Sequence, residues 1–237
     1  MEIKTLLYEG KAKKVWETDD PAVLVVEYKD DATAFNGKKK GTIAGKGVIN
    51  NRMSNFLMKK LEEKGVPTHL IEELDERKTA VRRVKIVPLE VIVRNIAAGS
   101  FAARCGVGEG VAFAAPTVEF SYKNDELNDP LLADDHILAL SLATPEEIAL
   151  IRKYALAVND ALREFWKERG VTLVDFKIEF GRLPDGKIIL ADEISPDTCR
   201  LWDAATGMKL DKDRFRRDLG GVEEAYEEVM RRLGIDK

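Results

Sequence analysis

The alternation of apolar and polar residues is clearest in VDFKIEFG, residues 174–181. Asp175, Lys177 and Glu179 separate its apolar members, and a repeat of two residues is typical of a strand with one apolar and one polar face. The turn sequence LPDG follows, and a second apolar run then ends at Asp192. The pattern predicts a β-hairpin in which Asp192 lies close to opposite Glu179.

Helices are predicted where apolar residues recur at three- and four-residue steps. One such pattern covers residues 47–64, another covers 222–233, and a shorter helix is predicted near 211–218. The best-defined helix begins with TPEE, in which Thr144 is the cap and Glu147 completes a capping box. These helices follow a start of the chain that is rich in predicted strands.

The order of the predicted elements indicates an α+β fold with antiparallel sheets and packed helices. A boundary near residue 85 would separate a small N-terminal lobe, residues 1–85, from a larger C-terminal lobe, residues 86–237. No flexible linker marks this boundary. We therefore expect two closely packed lobes with a cleft between them.

Composition narrows the class of protein further. The chain has 237 residues, of which 45% are hydrophobic, and no apolar stretch approaches the roughly 18 residues of a membrane span. Its net charge of −4 argues against nucleic acid as a partner. Without a visible secretory signal, and with its two cysteines, Cys105 and Cys199, far apart, we expect a cytoplasmic protein with reduced thiols.

The polar face of the predicted hairpin is a candidate metal site. Glu179 and Asp192 would repel each other unless a cation lay between them. Mg²⁺ is such a cation, because it binds carboxylate oxygens and substrate phosphate oxygens at the same time. Lys177 adds a mobile positive charge to the same face. The structural alternative is an edge hairpin whose polar face is solvated.

A second candidate site is YEGKAKKVW, residues 8–16, between two predicted strands. A tight turn at Gly10 with free backbone N–H groups, flanked by Lys11 and Lys13, can cover a polyphosphate. The sequence is not a Walker A motif. The alternative is an ordinary basic hairpin tip.

A third candidate lies in KIVPLEVIVRNIAAGSFAARCG, residues 85–106. A strand is predicted to end at Arg94, and a helix is predicted to begin near Gly99–Ser100. A helix N-terminus and a guanidinium both suit a phosphate or a carboxylate. The alternative is an arginine that extends to solvent from a strand end. Arg200 lies in a predicted loop, residues 195–203, expected to lie beside the metal site.

Several segments together resemble one family, the phosphoribosylaminoimidazole-succinocarboxamide synthases, or SAICAR synthetases. The similar segments are IVPLEVIVRNIAAGS (86–100), LVDFKIEFG (173–181), YEGKAKKV (8–15), KNDELNDP (123–130) and ADEISPDTCRLWD (191–203). They are distributed over nearly the whole chain. The resemblance implies an enzyme of purine biosynthesis that uses ATP and Mg²⁺ to join L-aspartate to the carboxylate of carboxyaminoimidazole ribonucleotide.

The resemblance also implies an ATP-grasp-like, two-lobed fold, small-molecule substrates and a homo-oligomer, with a dimer favoured. It implies roles for individual residues as well. The ATP-binding positions are Gly10, Lys11, Ala12, Lys13, Lys123, Glu179 and Asp192, of which Glu179 and Asp192 also bind the metal. The ribonucleotide-binding positions are Arg94, Ser100 and Arg200, and Asp175 and Lys177 match positions close to the reacting groups. Residues 35–46, rich in lysine and glycine, receive no role.

Two other functions are compatible with the individual motifs. One is a small-molecule kinase of the inositol phosphate kinase type, which also places an Asp-x-Lys pattern beside nucleotide-binding carboxylates and would phosphorylate a hydroxyl. The other is a non-catalytic nucleotide-binding module. Such a module would keep the Lys11 loop but could lose the metal carboxylates, both of which are present here.

Overall fold

Two antiparallel sheets form the framework of the chain. The computed structural model describes residues 1–34 and 37–235. The strands are β1 (Ile3–Glu9), β2 (Lys13–Thr18), β3 (Val23–Tyr28), β4 (Asp31–Ala34), β5 (Lys39–Thr42), β6 (Leu70–Glu73), β7 (Lys78–Arg82), β8 (Lys85–Ile96), β9 (Ala112–Tyr122), β10 (Leu131–Leu132), β11 (Val171–Arg182), β12 (Ile188–Ala191) and β13 (Cys199–Asp203). The helices are α1 (Lys46–Glu63), α2 (Gly99–Cys105), α3 (Asp134–Ala139), α4 (Pro145–Lys167), α5 (Asp213–Arg216) and α6 (Val222–Leu233). This is the mixed α+β architecture that the sequence predicts.

The first sheet has the strand order β1-β2-β3-β7-β6, and the second has the order β10-β9-β8-β11-β12, with β13 also paired to β11. Strand β11 therefore has neighbours on both sides, while β12 lies at the edge of the sheet. The alternative of a solvated polar face is wrong, because Asp175 and Glu179 on that face are only 3% and 4% exposed. Glu179 pairs with Ala191 in the β11–β12 ladder, so the next residue, Asp192, lies beside Glu179 as predicted.

The larger hydrophobic core lies between the second sheet and helices α1, α4 and α6. Phe176, Ile178 and Phe180 occupy the apolar face of β11 and are at most 1% exposed. Burying each such side chain contributes about 1.5–3 kcal/mol. Helix α1 also packs into this core, although it precedes residue 85. The lobe boundary at residue 85 stays a prediction.

The two sheets are joined next to the end of β12. Thr68 forms a parallel bridge with Leu190, whose carbonyl accepts a hydrogen bond from the His69 N–H at 2.8 Å. The Leu190 N–H in turn donates to the carbonyl of Pro67, also at 2.8 Å. Because β12 leads directly into Asp192, this junction fixes the position of Asp192 between the two sheets.

The predicted helices are confirmed with small differences at their ends. Helix α1 covers 46–63 where 47–64 is predicted, α6 begins and ends at the predicted residues, and α5 is shorter than the predicted 211–218. The capping box is present, because Thr144 Oγ1 accepts from the Glu147 N–H at 3.2 Å and Glu147 Oε2 accepts from the Thr144 N–H at 2.9 Å. No helix in the described part of the chain is long and apolar enough to span a membrane.

Other expectations need correction. Strand β8 continues to Ile96 and does not end at Arg94, because it keeps its pairing with β9 through Ile96 and Ala112. The predicted loop at 195–203 contains β13, whose pairing with β11 the local sequence did not indicate. Of the segment 35–46, residues 35 and 36 lie outside the described residues. Lys46, at its other end, begins α1 and is fully buried in an ion pair with Asp197 at 2.9 Å.

Candidate active site

A cleft with a volume of about 550 Å³ lies between the first and the second sheet. Its walls come from the β1–β2 turn, strands β3, β7, β8 and β11, and the segment after β12. Eight predicted site residues line it: Gly10, Lys11, Ala12, Lys13, Lys123, Lys177, Glu179 and Asp192. The other four, Arg94, Ser100, Asp175 and Arg200, do not line this cavity and form a separate cluster on the second sheet.

The β1–β2 turn brings a short basic loop to the edge of the cleft. Gly10 donates its N–H to the carbonyl of Lys13 at 2.8 Å, which closes the turn. A Cβ at position 10 would lie 2.9 Å from a ring carbon of Tyr8, so a larger residue there would displace this exposed ring. Lys11 reaches across the mouth of the cleft to Asp125 at 2.8 Å, in a largely exposed ion pair.

Each lysine in the cleft is paired with a carboxylate. Lys13 binds Asp192, Lys123 binds Glu179 and Lys177 binds Glu90. We call Lys13, Lys123, Lys177, Glu179 and Asp192 the lysine–carboxylate cluster. Lys13 has a second partner in Glu193, at 2.9 Å. The cluster therefore combines cations that suit phosphate oxygens with carboxylates that suit a divalent metal ion.

The two carboxyl groups respond differently to their surroundings. Burial raises the pKa of Glu179, and repulsion from Asp192 raises it further, whereas Lys123 opposes both. Burial would also raise the pKa of Asp192, but the attraction of Lys13, Lys123 and Lys177 outweighs it and lowers that pKa to about 2. Repulsion between two neighbouring carboxylates is the condition under which a divalent cation binds favourably.

The backbone at Asp192 adopts a left-handed conformation, with φ of 60°. Such a conformation is uncommon outside glycine, although aspartate tolerates it better than most residues. It turns the chain sharply after β12, where the Asp192 carboxylate meets Lys13. A strained residue that the neighbouring structure holds in place is a frequent feature of ligand sites.

The deep wall of the cleft is apolar. It consists of aliphatic side chains from β2, β3, β7 and the start of β8, namely Val15, Leu24, Val26, Val81, Val84 and Ile86. An apolar wall opposite a charged edge is the usual arrangement around a ligand with a planar, weakly polar part and a charged part. A purine base with a polyphosphate is such a ligand.

A second group of charges, which we call the arginine cluster, consists of Arg94, Arg200, Ser100, Asp175 and Asp213. Arg94 donates to Asp175 Oδ2 at 2.8 Å and to Ser100 Oγ at 3.3 Å. Arg200 donates to the same Asp175 oxygen at 2.8 Å and to Asp213 Oδ2 at 2.8 Å. Asp175 therefore bridges both guanidinium groups, and the residues predicted to hold the ribonucleotide lie together.

Gly99 permits this arrangement at the start of α2. A Cβ at position 99 would lie 2.4 Å from Arg200 Nη2, and the residue has φ of +51°. Both the space and the backbone conformation require glycine. The prediction that a helix begins near Gly99–Ser100 is confirmed.

Sequence reasoning missed several residues of the cleft. These are His69, Glu90, Glu193, Lys212 and Arg216. For Glu90 a signal was available, since it lies four residues before Arg94 on one strand and therefore on the same face. The other residues come from loops and from α5, where no periodicity indicates which side chains meet.

His69 is buried, and burial lowers its pKa to about 4, so the ring is neutral at pH 7.

Taken together, the cleft has the apolar wall, the basic turn and the pair of neighbouring carboxylates that are typical of enzymes using a metal-bound nucleotide. Comparisons with known proteins agree with this class. The family model described as SAICAR synthetase matches residues 6–233. Since this match includes nearly the whole chain, the chain belongs to the SAICAR synthetase family.

Relatives and solved structures support the same assignment. The phosphoribosylaminoimidazole-succinocarboxamide synthase of Lachnoclostridium phytofermentans is 64% identical over 230 residues, 97% of each chain. That of Coprothermobacter proteolyticus is 60% identical over 234 residues, 99% of each chain. The crystal structure of the Ehrlichia chaffeensis enzyme superimposes with a TM-score of 0.96 at 46% identity, covering 98% of this chain and 100% of that one.

A SAICAR synthetase structure in complex with ADP is also similar, with a TM-score of 0.94 and 46% identity over 100% of this chain and 99% of that one. The family prediction is therefore confirmed. The alternative of an inositol phosphate kinase type of enzyme is not supported, because the family model and these relatives are all SAICAR synthetases.

Proposed function

We propose that this chain is an ATP-dependent carbon–nitrogen ligase of purine biosynthesis, which joins L-aspartate to the carboxylate of carboxyaminoimidazole ribonucleotide. The products are the succinocarboxamide, ADP and phosphate. The single observation that carries the proposal is the match to the SAICAR synthetase family over residues 6–233. The cleft supplies charges of both signs, as a reaction between ATP and two further anionic substrates requires.

ATP binds with its base against the apolar wall and its phosphates beside the β1–β2 turn. Gly10, Lys11, Ala12 and Lys13 lie along one side of the cleft, and Lys123 lies on the other. The lysines exchange their carboxylate partners for phosphate oxygens. The ion pair of Lys11 with Asp125 is largely exposed and therefore weak. Lys123 is itself about half exposed, so it can reach an incoming phosphate although its partner Glu179 is buried.

Glu179 and Asp192 fit a Mg²⁺ ion. Glu179 is buried and Asp192 is partly exposed, and the two oxygen donors repel each other. Mg²⁺ is commonly held by one or two carboxylates, with water and substrate phosphates completing its shell. Among the described residues no cluster of three or more His, Cys, Asp or Glu side chains could hold a metal ion, which is consistent with such a shared shell. When bound, Mg²⁺ neutralises phosphate charge during phosphoryl transfer.

The reaction proceeds through an acyl phosphate. A carboxylate is a poor electrophile, and transfer of a phosphoryl group from ATP converts it into one that the amine of aspartate can attack. Lys177 lies on β11 between Glu179 and the arginine cluster, and it balances charge where the two substrates meet. The walls of the cleft keep water from the acyl phosphate.

The arginine cluster holds the phosphate of the ribonucleotide. Arg94 and Arg200 are oriented by their shared partner Asp175, and each guanidinium has N–H groups beyond those that the bridge uses. Ser100 adds a hydroxyl at the start of α2. Asp175, which the resemblance places close to the reacting groups, acts here by positioning the two arginines.

Other features are also proposals. The ATP-grasp-like description of the fold and a homodimer rest on the family resemblance. The division into lobes at residue 85 rests on the order of the elements, and a cytoplasmic location rests on the sequence features given above. Neither nucleic acid nor a membrane is proposed as a partner.

The function is tested by measuring ADP formation in four mixtures: ATP alone, ATP with each co-substrate, and all three substrates together. Rapid release of ADP is expected only in the complete mixture, with one succinocarboxamide, identified by mass, for each ADP. A ligase that protects an acyl phosphate uses little ATP without the amine. Stoichiometric phosphorylation of a hydroxyl compound without aspartate would contradict the proposal.

A further inference from the structure

A second cavity, with a volume of about 640 Å³, lies where β8 and β9 separate. In the pairing of β8 with β9, Arg94 is opposite Thr117 and Ile96 is opposite Ala112. Residues 113–116 of β9 therefore leave the ladder at the position of Asn95. Because side chains alternate along a strand, Asn95 projects to the face opposite Arg94, toward α4. The volume lies within the range of small-molecule sites, which is about 300–1,000 Å³.

One wall of this cavity carries an unused hydrogen-bond acceptor. Asn95, which is 8% exposed, donates through Nδ2 to Asn159 Oδ1 at 2.8 Å and to the carbonyl of Leu173 at 3.3 Å. Its Oδ1 atom is buried and has no partner in the described part of the chain, and the same is true of Asn159 Nδ2. An unpaired buried polar group is unfavourable, so a ligand that donates to Asn95 would relieve this cost.

The rim of the cavity carries two cations on successive turns of α4, Arg163 and Lys167. Neither takes part in an ion pair within residues 1–34 and 37–235. Asp160 and Glu164 lie on the same rim, and Glu164 is 3.5 Å from Lys64. Residues four apart on a helix face the same side, so Arg163 and Lys167 can bind one anion together.

The floor of the cavity is apolar and includes Phe113 and Pro116. The ring of Phe113 packs against Phe101 of α2, with centroids 4.9 Å apart. Phe101 in turn lies 5.8 Å from the guanidinium of Arg94. The cavity is therefore two side-chain contacts away from the arginine cluster, on the other face of the same sheet.

We propose that this cavity binds a nucleoside monophosphate whose base carries an amino group, as adenosine monophosphate does. The phosphate binds Arg163 and Lys167, the base packs on Phe113 and Pro116, and the amino group donates to Asn95 Oδ1. This site is separate from the cleft and goes beyond the ligase reaction. A ligand bound here lies close enough to Phe101 to affect how the ribonucleotide binds.

The test is calorimetric titration of adenosine monophosphate into the full chain saturated with ADP, Mg²⁺ and carboxyaminoimidazole ribonucleotide, so that the cleft and the arginine cluster are both occupied. One equivalent is expected to bind. Ala114→Trp, which fills the cavity from an exposed position, should abolish this binding, and Arg163→Gln and Lys167→Gln should each weaken it about tenfold or more. Lys153→Gln, an exposed lysine of α4 outside the cavity, is the matched control and should have no effect.

A second ligand isolates the contact with Asn95. Purine riboside monophosphate lacks the amino group and should bind about tenfold or more weakly than adenosine monophosphate. Three results would overturn the proposal: no binding at millimolar ligand, binding that the Ala114, Arg163 and Lys167 variants leave unchanged, or conversion of a dimer to a monomer by Ala114→Trp. Ligase activity of Ala114→Trp without adenosine monophosphate should stay normal, which separates this test from that of the ligase function.

Discussion

The lysine–carboxylate cluster and the arginine cluster contain similar charges but hold them differently. The side chains of Lys123 and Lys177 are 45% and 38% exposed, whereas those of Arg94 and Asp175 are 3% and 5% exposed. Exposed ion pairs contribute roughly 0–1 kcal/mol. Removing one partner of a buried pair costs about 3–5 kcal/mol. Lys123 and Lys177 can therefore exchange partners more easily than Arg94 can, although Glu179 is as buried as Asp175.

This difference agrees with the two tasks that we propose for these clusters within one reaction. A polyphosphate and a divalent cation must enter and leave at each turnover, so lysines that move from carboxylate to phosphate are suitable there. The ribonucleotide phosphate must be held in one orientation, and two guanidinium groups fixed by Asp175 provide a rigid, planar set of donors. We expect substitutions in the arginine cluster to affect stability as well as activity, and substitutions in the lysine–carboxylate cluster to affect mainly activity.

The largest effect on stability is expected for Asp175→Asn. The change removes the negative charge between Arg94 and Arg200, but Glu119 and Asp213 still pair with these arginines. The free energy of unfolding, measured by urea denaturation at pH 7, should therefore fall by about 3 kcal/mol, the lower end of the range for a broken buried pair.

The control for this variant is Asp185→Asn in the β11–β12 turn. Asp185 pairs with Lys187 at 2.8 Å, and both side chains are at least half exposed. The loss there should be far smaller than in Asp175→Asn, because a solvent-exposed ion pair contributes little to stability. Equal losses in the two variants would show that the arginine cluster is no more fixed than an exposed pair.

Asp192→Asn should reduce turnover at saturating Mg²⁺ more than about a hundredfold, equivalent to ~2.7 kcal/mol, while the fold is retained. Without this carboxylate, Glu179 alone cannot position the cation and its polyphosphate. Lys13 still keeps Glu193 as a partner, so stability should change less than in Asp175→Asn. Steady-state kinetics and urea denaturation measure the two quantities.

Retention of more than about a tenth of wild-type turnover, a loss below ~1.4 kcal/mol, would contradict the metal role of Asp192. Asp129→Asn serves as the control, because Asp129 also lines the cleft but accepts a hydrogen bond from the Asn124 N–H within its own turn. That variant should keep most of its activity.

The two clusters also differ in how far the sequence could predict them. Glu179 and Asp192 belong to one hairpin, and the alternation in residues 174–181 with a recognisable turn was enough to place them together. The arginine cluster joins β8, β11, β13 and α5, which are far apart in the chain. Contacts between these elements depend on the tertiary structure. From the sequence, only the family resemblance indicated that Arg94 and Arg200 act at one site.

Strand β9 shows why some elements could not be predicted. Pro116 lies within it, and residues 113–116 leave the β8 ladder, so the segment lacks the regular alternation of a paired strand. Asp213 was missed for a related reason. It lies in the four-residue helix α5, too short for a periodic pattern, yet it holds Arg200 at 2.8 Å.

Arg94→Lys should raise the KM for the ribonucleotide far more than the KM for ATP. Lysine keeps the charge but not the planar set of donors that contacts Asp175, Glu119 and Ser100. The expected cost in ribonucleotide binding is on the order of 1–3 kcal/mol, measured from the two KM values. Arg83→Lys, which changes an exposed partner of Glu17, is the control. Equal changes in both KM values would assign Arg94 to the nucleotide.

The smallest effect on activity is expected for Cys199→Ser. Cys199 lies on β13 next to Arg200, is 2% exposed, and has a thiol pKa that burial raises far above its usual range. The group is therefore a neutral thiol without nucleophilic character at pH 7. Serine should change turnover less than about twofold (~0.4 kcal/mol), and its buried hydroxyl should lower stability by about 1–3 kcal/mol. Cys105→Ser, at an exposed position, should change neither quantity. Loss of turnover in a folded Cys199→Ser protein would reveal a role for this thiol beside the arginine cluster.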